Sequence, residues 1–183
     1  MTRLESAVKH WPGCAGCLFA WKLAVQPGKI RDRRAESALE VTMWSGEFKV
    51  GRVVMGRLER GQDLLEGLYR ACSEYDVQVA AVRAIGALES ARLGYYDQRN
   101  GRYVELEFGE PREIAWLGGN LSLKGGKPFL HLHAVLGGAD GSCVGGHVLS
   151  GCIVFACEFE LSALEGTPPQ RKPDGATGLE LWG

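Results

Sequence analysis

PFLHLHAVLGGADGSCVGGHV, residues 128–148, holds three of the chain's four histidines, and its reading decides how the rest is organised. On a strand, residues i and i+2 share a face, so His131 and His133 aim two imidazoles at one point while Leu132 faces the opposite side. The intervening GGADGSCVGG, with Asp140-Gly141 at its centre, supplies the turn of a hairpin that returns His147 to the pair. Three neutral imidazoles converging from two strands suit zinc or another borderline divalent metal ion and leave a fourth position open for water or a carboxylate. The same spacing also suits imidazoles that bond only to backbone carbonyls, and the residues alone leave both readings open. Cys143, between the ligands, reads as a turn or small buried residue that could also reach a metal.

Outward from the histidines, the pattern stays β-prone. KVGRVVMGRL (49–58) partly alternates and is rich in valine, as a half-buried strand would be. Asp63 to Tyr75 places Leu64, Leu65, Leu68, Ala71, Cys72 and Tyr75 on one stripe of an amphipathic helix, with Asp63 and Glu66 spaced as a capping box. After it come VQVAAVRAIGALESARLGYY, RYVELEF, REIAWL, NLSLK, PFLHLHAVL and the apolar run HVLSGCIVFACEFEL, most of them read as short strands between Gly, Pro, Asn or Asp breaks. Asn120, beside Gly118 and Gly119, reads as a turn residue. The tail from Glu165 to Gly178 reads as a loop, with GLELW as a short last strand. The fold class expected is α+β, a mostly antiparallel mixed sheet with one main amphipathic helix.

Composition sets the bounds. At 183 residues, 45% hydrophobic and 23% charged, the chain has the profile of one globular core. Residues 1–45 carry seven Lys/Arg against four acids, and since the whole chain has net charge −1, the remainder is −4. A −4 body is a poor partner for phosphate backbones, whose affinity comes from Lys and Arg displacing counterions, so nucleic-acid contact would fall to the basic cluster Arg31, Arg33 and Arg34. The first 45 residues lack sustained periodicity and read either as an N-terminal extension or as a start upstream of a true Met43; residues 46–183 form the domain. Cys14-x-x-Cys17, with His10 nearby, is half of a zinc pattern without its second half. Lys22 interrupts the apolar run from Cys14 to Val25, which is too short to span a bilayer, so no membrane is expected as partner; the six cysteines read as reduced and the compartment as cytoplasm. Glu59, Glu89 and Glu107 are carboxylates that could complete a metal shell or move a proton, and Arg57 could grip an anionic substrate, although each also reads as a solvated surface charge.

GNLSLKGGKPFLHLHAVLGGADGSCVGGHVLSGCIVFACEFEL (119–161), together with GRLERGQDLLEGL (56–68), IGALESARLGYYD (85–97) and GEPREIAWLGGN (109–120), resembles the plants-and-prokaryotes conserved (PPC) domain over 46–164. Plants attach this domain to AT-hook motifs, and prokaryotes keep it as a stand-alone protein that usually carries a DNA-binding label. The resemblance implies a homotrimeric α+β domain with His131, His133 and His147 at the family's metal-binding positions. It also implies kinship of fold with acetolactate decarboxylase, a zinc enzyme that likewise uses an H-x-H pair and a later histidine. Two functions follow as expectations. One is a metal-binding homotrimer with a DNA-binding or regulatory role, although the Arg-Gly-Arg-Pro core of an AT-hook is absent. The other is a small metalloenzyme or metabolite-binding protein acting on a small oxo- or hydroxy-acid. A metal that only ties the hairpin or trimer together is a third.

Overall fold

The computed structural model describes residues 43–183, and the readings placed on His10, Cys14, Cys17, Arg31, Arg33 and Arg34 lie outside them. The described residues form nine strands and one helix: β1 (Lys49–Leu58), α1 (Leu64–Glu74), β2 (Ala80–Asp97), β3 (Arg102–Phe108), β4 (Arg112–Lys124), β5 (Lys127–Gly137), β6 (Cys143–Val148), β7 (Ile153–Glu165), β8 (Gln170–Pro173) and β9 (Glu180–Trp182). The sheet is mixed: β8 runs parallel to β4, and every other pairing is antiparallel.

Helix α1 starts where Asp63 caps it, its Oδ1 accepting from the Glu66 backbone N–H at 3.0 Å. The other oxygen, Oδ2, accepts from the Gly151 N–H at 2.6 Å, so one carboxylate fixes both the helix start and the turn before β7. Leu64, Leu68, Ala71 and Cys72 are buried, as their spacing requires, while Tyr75 falls at the C-cap and is exposed rather than continuing the stripe. Asp76 then leaves the helix with φ +48°, a left-handed conformation that Asp tolerates better than most residues.

The strand lengths differ from the short segments expected after α1. β2 runs 18 residues without interruption. Its first half pairs with β4 on one side and β7 on the other, and its second half pairs with β3 and β6. Because β6 pairs with β5 and β5 with β4, the strands β2, β6, β5 and β4 close into a circuit of pairings. Within the first half, Gly86 at φ +141° sits where the register of β2 against β4 shifts, and a Cβ there would stand 2.1 Å from the Ala156 carbonyl oxygen.

REIAWL and NLSLK likewise join into one strand, β4, across Gly118-Gly119-Asn120, which makes no turn. The two glycines give room instead: the Trp116 indole covers Gly118, and a Cβ on Gly119 would lie 1.9 Å from the His131 carbonyl oxygen. The run HVLSGCIVFACEFEL does break, at 149–152, where Gly151 (φ +102°) turns the chain from β6 into β7. The tail read as a loop contains β8, which adds to β4 with Leu123 opposite Gln170 and Lys124 opposite Arg171. The buried aliphatic core includes Leu88, Leu93, Leu117, Leu121, Leu132, Leu136 and, on β7, Leu161. Among the described residues no helix is long and apolar enough to cross a membrane.

Candidate metal centre

Strand alternation builds the site. Along β5, Leu130, Leu132, Ala134 and Leu136 are buried in the core, which turns Phe129, His131, His133 and Val135 to the other face of the sheet. The hairpin at 138–142, closed by Gly138 N–H to Ser142 O at 2.8 Å and tightened by the Asp140 carboxylate on Ser142, sets His147 directly opposite His133. The ring centroids of the three histidines are 5.1 to 5.4 Å apart. One ring nitrogen from each lies within 4.8 Å of the others. Tyr103 of β3 stands beside His147, with ring centroids 5.6 Å apart.

His147 Nδ1 is buried and has no hydrogen-bond partner among the protein atoms. A buried ring nitrogen is normally satisfied, so this one marks a place where a group outside the chain fits. Burial pushes the His131 pKa down to about 4, helped by the Arg171 charge and the neighbouring imidazoles. Burial also lowers the pKa of His147, with His133 and Arg171 adding to the effect. Both rings are therefore neutral at pH 7, the form that binds metal.

Arg171, from the tail expected to be a loop, is the site residue that the sequence reading missed. The residue is only 9% exposed. Its Nε donates to Ser122 Oγ, its Nη1 to the Glu180 carbonyl and its Nη2 to Asn120 Oδ1 and His131 Nδ1, each at 3.1 Å. Phe129 and Trp182 flank the guanidinium at 5.1 and 5.7 Å. Asn120 is thus a strand residue that fixes the arginine, not a turn former.

The remaining candidates lie elsewhere. Arg57 and Glu59 pair with each other at 3.0 Å at the β1 end, exposed to solvent. Glu89 accepts from Arg60 at 2.6 Å, and Glu107 lies 3.3 Å from Arg92, which also pairs with Glu105. None of the three carboxylates joins the histidine group, and Cys143, exposed at the start of β6, does not join it either.

The family profile of the Plants and Prokaryotes Conserved (PCC) domain matches residues 45–165, a span that contains all three histidines and stops short of Arg171. A metal-containing protein of known crystal structure from Archaeoglobus fulgidus superimposes with a TM-score of 0.73 at 45% identity, over 76% of this chain and 99% of that one. A PPC protein from Pyrococcus horikoshii does so with a TM-score of 0.72 at 34% identity, over 77% and 97% of the two chains. A Bacteroides thetaiotaomicron protein, described as a candidate DNA-binding protein, matches with a TM-score of 0.68 at 25% identity, over 75% and 96%. Among curated sequences, a stretch of 128 residues is 35% identical to the bifunctional protein GlmU of Synechococcus sp. (strain JA-2-3B'a(2-13)), covering 68% of this chain and 19% of that protein. The chain thus spans about a fifth of the length of the curated relatives it matches. With the strand order, the histidine hairpin and the profile in agreement, the chain belongs to the Plants and Prokaryotes Conserved domain family.

Proposed function

We propose that His131, His133 and His147 hold a divalent metal ion, zinc first, in a homotrimeric PPC-type protein whose metal serves ligand or partner binding. The observation that carries this reading is the convergence of three ring nitrogens within 4.8 Å, one of them buried and unpartnered. Zinc–nitrogen bonds of about 2.0–2.1 Å put tetrahedral ligand atoms about 3.4 Å apart, a spacing within reach of small side-chain rotations. The donor set is neutral and of borderline softness, which fits zinc, and three protein ligands leave a position for a fourth group. The metal content of the Archaeoglobus relative agrees with it. In such a site the ion would supply a Lewis acid able to polarise an oxygen-bearing ligand.

Self-association is supported by apolar residues on the outer face of the sheet. Ile85, Trp116, Val135 and Phe155 are 39% to 57% exposed, a surface that copies of the same chain would cover. The DNA-binding designation of the Bacteroides relative has less support here, because residues 46–183 carry net charge −4 and the basic cluster at 31–34 lies outside the described residues. Direct binding predicts duplex affinity that falls steeply with salt, and a flat null at low salt removes it. A second reading, a small metalloenzyme or metabolite-binding protein acting on an oxo- or hydroxy-acid, is favoured by one feature: a buried cation, Arg171, beside the histidines. That likeness to acetolactate decarboxylase is one of fold and histidine layout, and a reaction does not follow from fold.

Elemental mass spectrometry on full-length protein, with the oligomer mass recorded, tests the main reading. About one zinc or similar ion per chain, lost in His131→Ala/His133→Ala, is expected for a three-histidine centre. An equal and negligible metal content in both proteins would overturn it.

A further inference from the structure

We infer that this site takes a small carboxylate or comparable oxyanion, and that Arg171, displaced from His131 when the metal is bound, is the residue that grips it. The inference rests on the metal-centre reading above and adds the ligand class and the residue that selects it.

Arg171 carries a buried charge with no carboxylate hydrogen-bonded to it among the described residues. Arg171 is nine-tenths buried, yet its four hydrogen-bond partners are a hydroxyl, a backbone carbonyl, an amide oxygen and an imidazole nitrogen, all neutral. No carboxylate among the described residues pairs with it. Glu180, whose carbonyl accepts from Nη1, pairs its carboxylate with Lys124 and acts on the guanidinium only through space. A buried guanidinium in such surroundings is incomplete, since buried charges are ordinarily paired.

The second step is a conflict over one lone pair. A guanidinium can only donate, so Nδ1 of His131 receives Arg171 through its lone pair at 3.1 Å. A neutral imidazole has a single ring nitrogen with a free lone pair. If His131 gives Nδ1 to a metal, that lone pair is taken; if it gives Nε2, its proton sits on Nδ1 and two donors face each other. Either way, His131 cannot serve a metal and keep the Arg171 bond. When His131 turns to the metal, one N–H of Arg171 loses its acceptor, in a place where an unmet donor is costly.

What remains is a partly released guanidinium still anchored by Ser122, Asn120 and the Glu180 carbonyl, next to a three-ligand centre with an open position. An anion resolves both deficits at once, and the planar fork of arginine matches a carboxylate or a similar oxyanion. Phe129 and Trp182, 5.1 and 5.7 Å from the guanidinium, add aromatic contacts to its anchoring.

The test uses full-length protein, acetate as the probe, and the variants R171Q and R171K. Zinc affinity is read by competition with a chromogenic chelator, and acetate affinity by the visible absorption of the cobalt(II)-loaded protein. Wild type is expected to load the metal and to show a saturable acetate shift. R171Q is expected to weaken acetate about tenfold or more while binding zinc as tightly as wild type or more tightly, because a competitor for His131 is gone. R171K, which keeps the charge without the fork, should fall between, and it carries the same comparison if R171Q does not fold. A purely structural arginine would drag both affinities down together, and that result, or unchanged acetate binding in both variants, would overturn the inference. Wild-type protein that loads metal but ignores acetate also overturns it and leaves the metal centre standing; wild type that loads no metal brings down the metal centre itself.

Discussion

The hairpin β5–β6 and the hairpin β8–β9 each contribute to the histidine site, and they reach it by opposite routes. In β5–β6 the placement is local: alternation puts His131 and His133 on one face, and a five-residue connection at 138–142 returns His147 opposite His133. β8 and β9 are four and three residues long, too short for periodicity to register; β9 reads as a strand in GLELW, whereas β8 falls in the tail that reads as a loop. β8 is positioned by joining β4 in parallel, fixed by the Leu123 N–H on the Pro169 carbonyl at 3.0 Å and by Arg171 reaching across to Ser122 and Asn120. The metal-ligating half of the site is thus written in spacing, and the charged half in a contact between residues 49 positions or more apart.

The substitution with the largest expected effect strikes β4, the strand both hairpins share. Gly119→Val sets side-chain atoms where the His131 carbonyl oxygen already stands, and the loss is expected to exceed about 4 kcal/mol, seen as the absence of a cooperative melting transition. Leu132→Ala strikes only β5, from its core face. Its cost should be about 2–5 kcal/mol by denaturant titration, with any remaining folded protein still able to load metal, since His131 and His133 lie on the other face.

Trp182→Ala separates the hairpins cleanly. It removes one ring from beside Arg171 and should cost about 1 kcal/mol, lowering acetate affinity more than metal content; metal loss without an acetate effect would show that β8–β9 supports the histidines rather than the arginine. Acid acts on β5–β6 in the metal-free protein. The folded His131 pKa, about 4, lies below its ordinary 6.5, so between those values the unfolded chain binds a proton that the native one refuses. The His131 contribution to stability therefore falls as pH drops from 6.5 to about 4 and is constant below, and the fall in melting temperature over that window should be smaller in His131→Gln than in wild type. Glu107→Gln sits at the small end: an exposed partner of Arg92, it should change stability by less than about 0.5 kcal/mol and leave metal content unaltered, and any larger effect would put a carboxylate back into the site.

Much of the β5–β6 half could be read in advance because each of its steps spans few residues. The N-cap at Asp63, the stripe of α1 and the bounds of β1 were legible for the same reason. Where the reading of β4 went astray, glycine was the cause. Gly118-Gly119 looks like a turn and is a clearance for the Trp116 indole and the β5 backbone. A glycine's permissiveness is visible in a sequence, but the atom that needs the space is not. Glu59, Glu89 and Glu107 were candidates by residue type alone, and each has an arginine within 3.3 Å instead.

By itself, then, the sequence determined the strand-rich fold, its family and the three imidazoles on one face, because side-chain direction along a strand alternates with period two and a short connection around Asp140-Gly141 closes a hairpin locally. Only the tertiary structure decided that β2, β6, β5 and β4 close on one another and that Arg171 lies buried against His131 with no carboxylate hydrogen-bonded to it among the described residues. Those outcomes depend on which strand edges meet across long stretches of chain, and edge pairing is settled by the packing of the whole sheet rather than by any spacing along it.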